Sequence, residues 1–298
     1  MSTDPNWPLV LSTEATIPSQ TTQSPPQLAL MNPTGEAFKI HEIRFSLTSQ
    51  TTTANSVTGA TIGCKLDLGS VALTNGFIPV WNFGRVVSYD QDLNNQFSWK
   101  LSQPLYVPAG ALLSSNFQHF GQIDSAIAAR ITVFASPIQN EVRTPDRVFL
   151  PWIAAYIGKA FPYASADTDV SKETMLLNPF DTDVVISRLI GRFNVFSTAG
   201  QSNFAKFGSH YMKLRIALSN GDSLVRTSTP FQQVFGEEGR AWEQRNTILR
   251  PKQFFQVYVE KVAGDNVTIP TIQPFISMVG YREMKLVNFR DAVGQVAQ

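Results

Sequence analysis

Leu30-Met31-Asn32-Pro33 recurs as Leu176-Leu177-Asn178-Pro179, 146 residues further along the chain. An alternating run from Ala37 to Leu47 follows the first copy, and one from Val184 to Phe196 follows the second. Arg44-Phe45 in the first run matches Arg192-Phe193 in the second, at an offset of 148. Cys64-Lys65-Leu66-Asp67-Leu68 is then answered by Met212-Lys213-Leu214-Arg215-Ile216, and both lead into a glycine-containing turn. Phe77 to Arg85 corresponds loosely to Phe231 to Arg240, each ending in Gly-Arg. Trp99 and Trp242 follow, then Pro108 and Pro251, and finally Ile131-Thr132-Val133-Phe134 and Met278-Val279-Gly280-Tyr281. The order is kept and the offset stays between 143 and 155. An ordered set of this kind points to two similar units in tandem.

The periodicity inside the repeat is that of strands. Ile62, Cys64, Leu66 and Leu68 fall on one face, with Gly63, Lys65 and Asp67 on the other. Ala129, Ile131, Val133 and Ala135 alternate with polar or larger neighbours, as do Met212, Leu214, Ile216 and Leu218, and Phe255, Val257 and Val259. A period of two marks a strand with one buried face. Turn signals separate the runs: Thr74-Asn75-Gly76, Pro108-Ala109-Gly110, Ser219-Asn220-Gly221-Asp222 and Ala263-Gly264-Asp265-Asn266. Helical spacing is best between Arg147 and Lys159, through Val148, Trp152, Ala155 and Tyr156, with Pro151 in a tolerated first turn.

These readings divide the chain into an N-terminal arm at 1–30, a first strand-rich domain at 31–140, a linker with a short helix at 141–174, a second domain at 175–284 and a tail at 285–298. The arm is polar, with only Asp4 and Glu14 charged, and Trp7 to Leu11 is its one apolar cluster. It is expected to be mobile in an isolated subunit and ordered on a neighbour through that cluster. Domains of this size suit an all-β class: two tandem jelly rolls, each with eight strands in two facing sheets. An immunoglobulin-like sandwich is the near rival, without its usual cysteine pair.

Composition narrows the function. The chain has 298 residues, 16% of them charged, and a formal net charge of +1. That balance gives no long-range hold on nucleic acid, and a charge near zero permits self-association. Cys64 is the single cysteine, so no intrachain disulfide framework exists. No run of eighteen apolar residues is present. His41, His119 and His210 lie far apart, and phosphate-loop, HExxH and GxSxG motifs are absent.

With its polar arm, its tandem strand-rich units, low charge and abundant Phe, Thr, Asn and Gln, the sequence resembles the double-jelly-roll major capsid proteins of tailless icosahedral bacteriophages with an internal membrane. The resemblance spans 31–284 at the level of architecture. It implies a homotrimer whose six barrels form a pseudo-hexameric capsomer, with barrels upright on the shell and the arm near its inner side. It also implies neighbouring capsomers, penton proteins and minor capsid or membrane proteins as partners, with indirect contact with a lipid layer. Sequence-specific nucleic acid is not among them. The implied location is the virion shell, assembled in host cytoplasm. The alternatives are a carbohydrate-binding adhesin or lectin-like sandwich and, behind it, a strand-rich hydrolase.

No catalytic, cofactor-binding or metal-binding residue is assigned. Asp67, Asp90, Asp92, Asp124, Asp167, Asp169, Asp181 and Asp183 read as ordinary turn aspartates that cap backbone amides rather than as catalytic groups or calcium ligands. Trp81, Trp99, Trp152 and Trp242 could form a sugar platform, yet with 21 Phe most aromatics must fill cores. Phe77, Trp81, Phe231 and Phe235 sit in loop-like positions and are expected at subunit contacts. Arg143, Arg147, Arg188, Arg192, Arg226, Arg240, Arg245, Arg250 and Lys252 are spread in a way that suits intersubunit pairs with Glu237, Glu238 and Glu243.

Overall fold

The computed structural model describes residues 9–18, 27–32, 35–49, 62–89, 94–119, 126–138, 146–157, 161–162, 171–196, 202–203, 212–235, 241–261 and 271–294. Eleven strands come first: β1 (Leu9–Ile17), β2 (Leu28–Met31), β3 (Phe38–Ser49), β4 (Ile62–Leu68), β5 (Val71–Ala72), β6 (Thr74–Asn75), β7 (Ile78–Pro79), β8 (Arg85–Tyr89), β9 (Asn94–Val107), β10 (Leu112–His119) and β11 (Ile127–Pro137). Ten follow: β12 (Arg147–Ile157), β13 (Phe161–Pro162), β14 (Ser171–Leu177), β15 (Val184–Phe196), β16 (Ser202–Asn203), β17 (Met212–Leu218), β18 (Ser223–Pro230), β19 (Ala241–Leu249), β20 (Phe254–Lys261) and β21 (Thr271–Lys285). Among the described residues helix is confined to a single 3-10 turn at Val80–Asn82, α1 (Phe231–Phe235) and α2 (Leu286–Gly294). The chain forms two compact units, one of Met1–Ile153 with Gly280–Gln298, the other of Ala154–Val279.

The first strands make two antiparallel sheets, ordered β1-β11-β3-β9-β8 and β2-β10-β4-β5, with β7 also on β4. The later strands repeat that order. β12-β21-β15 carries β19 on β15, and β14-β20-β17-β18 forms the companion sheet. Eight strands therefore have counterparts: β1 with β12, β2 with β14, β3 with β15, β4 with β17, β5 with β18, β9 with β19, β10 with β20 and β11 with β21. This is a jelly-roll-like pair of sheets built twice, and the described strands leave each sheet open rather than closed into a barrel.

Alternation fills the cores as strand geometry requires. Ile43, Phe45 and Leu47 of β3, Ile131 and Val133 of β11, and Leu66 and Leu68 of β4 are all buried. Phe83 bridges this core, its ring 4.5 Å from Phe45 and 5.4 Å from Trp99. In the second unit Val184, Ile186 and Leu189 of β15, Leu214 and Ile216 of β17, and Phe255, Val257 and Val259 of β20 play the same part.

Hydrogen bonds set the register of the repeat. Asn32 N–H donates to Ala111 O at 3.0 Å, and Asn178 N–H to Gln253 O at 2.8 Å. Gly69 N–H donates to Leu112 O and Ser219 N–H to Phe254 O, both at 2.9 Å. Ile43 stands opposite Trp99 just as Leu189 stands opposite Trp242, so the two tryptophans are true counterparts. The same pairs correct two details of the sequence alignment. Leu189 occupies the place of Ile43, so Arg192 lies two residues beyond the counterpart of Arg44. Gly69 matches Ser219, so Cys64 corresponds to Leu214 rather than Met212. Each shift is two residues and keeps the face, which is why alternation alone could not detect it.

Three further expectations change. The segment read as a helical linker is the strand β12, with Val148, Leu150, Trp152 and Ala154 buried. Residues four apart satisfy a period of two as well as one of 3.6, and Val148 and Trp152 are such a pair. The expected arm contains a strand: β1 pairs with β11 from Leu9↔Ala135 to Ile17↔Ile127. Trp7, the head of the expected anchor, lies outside the described residues. The expected tail forms α2, which docks on the first unit. Leu286 N–H donates to Asp146 O, Ser70 Oγ donates to Ala292 O, and the Phe289 ring lies 6.1 Å from Tyr106.

Candidate assembly surfaces

The aromatic candidates separate cleanly. Trp81, Phe231 and Phe235 are each only 1% exposed, so they belong to the cores rather than to subunit contacts, and only Phe77 is half-buried. The 3-10 turn and α1 carry them inward, a geometry that a loop-like sequence concealed. The rings of Phe231 and Phe235 lie 4.9 Å apart. Trp99 and Trp152 are also buried, while the side chain of Trp242 lies outside the described residues. No sugar platform is formed by the described tryptophans.

The polar candidates scatter. His41 Nε2 sits 2.7 Å from Ser136 Oγ at the surface, and Asp67 is 3.3 Å from Lys65 Nζ. Asp181 and Asp183 are exposed in the turn before β15. Asp90, Asp92, Asp124, Asp167, Asp169, His210, Arg143, Arg240, Glu237 and Glu238 lie outside the described residues, as do the side chains of His119, Arg245 and Glu243. Among the described residues no group of three His, Cys, Asp or Glu side chains could hold a metal ion. Arg147 pairs with Glu283 at 2.8 Å within the chain. Arg188 stands in register with Glu243. Arg192 is buried, and burial lowers its guanidinium to a pKa of about 9. Arg226, Arg250 and Lys252 are exposed.

Three features on the outside of the sheets are organised. On the outer face of the β3 sheet, Glu42 accepts hydrogen bonds from Arg44 Nε and Ser98 Oγ, and the Arg44 guanidinium lies 4.3 Å above the Phe134 ring. Burial pushes the Glu42 carboxyl up, but the bonds from Arg44 and Ser98 and the charges of Arg44 and Lys100 outweigh it and hold the carboxyl below its usual range. The second feature is a repeated apolar protrusion. Met31 and Leu177, counterparts at the ends of β2 and β14, are 62% and 45% exposed. Both strands lie at sheet edges, and the next residue is a buried Asn in each. Val10, Ile248 and Val287 add isolated exposed apolar side chains.

The third feature is the edges of β1 and β18, which among the described residues are the terminal strands of their sheets. β1 alternates half-buried and exposed residues from Leu9 to Thr16. β18 exposes Arg226, Thr227 and Ser228 in succession. Exposed strand edges present unpaired backbone donors and acceptors and are natural sites of association. None of these features is a cleft with converging acid–base groups.

No protein-family model matches the chain, and no curated protein matches it. Solved structures do. A chain from the atomic structure of Sulfolobus turreted icosahedral virus is similar over 97% of this chain and 95% of its own, at 12% identity and a TM-score of 0.54. The capsid model of the virus PBCV-1 is similar over 93% of this chain and 95% of its own, at 8% identity and a TM-score of 0.49. A peptide-N(4)-(N-acetyl-β-D-glucosaminyl) asparagine amidase is similar over 91% of this chain and 96% of its own, at 12% identity and a TM-score of 0.40. The argument for a shared fold rests on the first.

Proposed function

We propose that this chain is the major capsid protein of an icosahedral virus, forming trimeric, pseudo-hexameric capsomers. The observation that carries the reading is the double sheet set of identical strand order, matched from end to end by a chain of an icosahedral virus. Two similar blocks per chain and three chains per ring give six near-equivalent blocks, which tile a curved lattice with small adjustments. Low charge limits repulsion among many copies. Exposed polar strands around isolated apolar residues suit wet contacts around apolar anchors. The reading gives the chain no catalytic role. Its partners are other copies, penton and minor capsid or membrane proteins, and its place is the virion shell, assembled in host cytoplasm. A tailless phage with an internal membrane is the host particle the sequence resemblance favours.

Native mass measurement with electron microscopy of the purified protein tests this. The expected result is a species of three chains and hexagonal blocks of that mass. A monomer that never enters larger particles with companion proteins from the same source overturns it. Glycan-array binding or amide hydrolysis by that monomer would place the chain with adhesins or hydrolases instead.

A further inference from the structure

We infer that the open edge of β1 receives β18 of a second copy, in an antiparallel pairing that sets Glu14 opposite Arg226. The inference rests on the capsomer reading and specifies the contact that joins its chains.

The pattern for the pairing is already present once within the chain. β12 is the counterpart of β1, and its edge away from β21 is occupied: β6 lies there, with Ile153 N–H donating to Leu73 O at 3.1 Å. Leu73 and Ile153 both belong to the first unit. The corresponding edge of β1, away from β11, carries no strand among the described residues. One of two equivalent positions thus holds a hydrogen-bonded strand, and among the described residues the other does not.

The repeat also indicates what fills it. Leu73 N–H donates to Leu66 O, and Leu66 corresponds to Ile216 in the register fixed by Gly69 and Ser219. Ile216 stands opposite Val225. Val225 is therefore the counterpart of Leu73, and Arg226-Thr227 the counterpart of β6. Val225 is buried like Leu73, while Arg226 and Thr227 are exposed at the end of their sheet. Charge agrees with the match. Glu14 is the only charged residue of β1 and Arg226 the only one of β18. Glu14 already meets Arg130 yet keeps 45% of its side chain exposed, room for a second guanidinium. No ion pair of Arg226 occurs among the described residues. Because β1 and β18 are different surfaces, the contact runs head to tail and closes into a ring when the rotation permits.

Cross-linking tests the pairing. With Glu14 opposite Arg226, Ser12 falls opposite Ser228 on the same face. Opposed residues of an antiparallel pair have Cα atoms about 4.5–5.5 Å apart, inside the span of roughly 4.4–6.8 Å that a disulfide bridges. The full-length chain carrying Ser12→Cys is mixed with the full-length chain carrying Ser228→Cys, each checked for native mass and circular dichroism, and oxidised. Cys64 is fully buried and does not compete. A covalent two-chain band from the mixture, absent from either variant alone, is expected. Arg226→Glu, which sets like charges opposite one another, should cut its yield by about tenfold. Oligomers of normal mass without the band overturn the edge pairing and leave the capsomer reading intact. A band from Thr16→Cys with Ser228→Cys instead overturns the antiparallel register. A chain that stays monomeric without a band overturns both.

Discussion

Asn32 and Asn178 explain why the most visible sequence repeat exists. Each is buried, and each side-chain amide donates to two backbone carbonyls: Asn32 to Glu36 and Pro108, Asn178 to Thr182 and Leu249, all between 2.9 and 3.0 Å. The amide thus ties the loop ahead of β3 or β15 to the turn ahead of β10 or β20. Asn178→Ala strands the buried Leu249 carbonyl and removes the part-buried bond to Thr182, and should cost about 1–3 kcal/mol in urea denaturation; Asn32→Ala, whose two bonds are both part-buried, should cost less. The sequence displayed this device as a repeated word without its meaning, because one partner of each amide is a backbone atom far along the chain, 76 positions from Asn32 and 71 from Asn178. Glu42 yields a second expectation. A carboxyl held below its unfolded value contributes stability above about pH 4.5 and loses it as the pH falls through the folded value. The difference in urea midpoint between wild type and Glu42→Gln should therefore be constant near neutrality and shrink below about pH 4.5. A difference independent of pH down to acid would count against the Arg44 and Ser98 contacts as its source.

At the scale of elements, strands with one buried face were legible and those with other surroundings were not. β4, β11, β17 and β20 follow the alternation read from the sequence. β12 is buried on both faces from Leu150 to Ala154, so it shows no polar alternation, and its apolar residues fit helical spacing equally well. β1 failed for the opposite reason: as an edge strand it covers one face only partly, and its composition reads as a tail. These two misreadings are a single one, since β1 and β12 are counterparts. Gly191 of β15 marks where a helix presses on a strand. A Cβ there would lie 2.1 Å from Phe235 Cδ2 in α1, and Phe235 is buried. Gly191→Ala should destabilise the second unit by about 1–3 kcal/mol through overpacking, measured as a lower urea midpoint. Removal of α2 by a stop after Lys285 should uncover the β4–β5 turn and Tyr106, where Ser70 and Phe289 make its contacts. The expected readout is faster amide exchange at Gly69 and Ser70.

For the whole molecule, the duplication places a core in each of two compact units, and that separates their responses to damage. Deleting residues 1–20, which a mobile arm would tolerate, removes all of β1. Nine backbone pairings with β11 go with it, from Leu9↔Ala135 to Ile17↔Ile127. Ile17 is fully buried, and Leu9 and Leu11 are half-buried on the same inward side. Loss of that apolar cover, with fresh exposure of β11, should cost the first unit at least about 3 kcal/mol. In the second set of sheets β12 stands in the equivalent place and is kept. Trp99 and Trp242 stand at equivalent positions of β9 and β19, opposite Ile43 and Leu189, and so give one fluorescence reporter per unit when the remaining tryptophans are replaced by Phe. In urea, the Trp99 transition of the shortened chain should move to lower denaturant while the Trp242 transition holds its midpoint. Equal movement of both would mean that the units unfold as one cooperative body. No movement of either would mean that β1 adds nothing to the fold that its nine pairings imply, and would return residues 1–20 to the role of an arm.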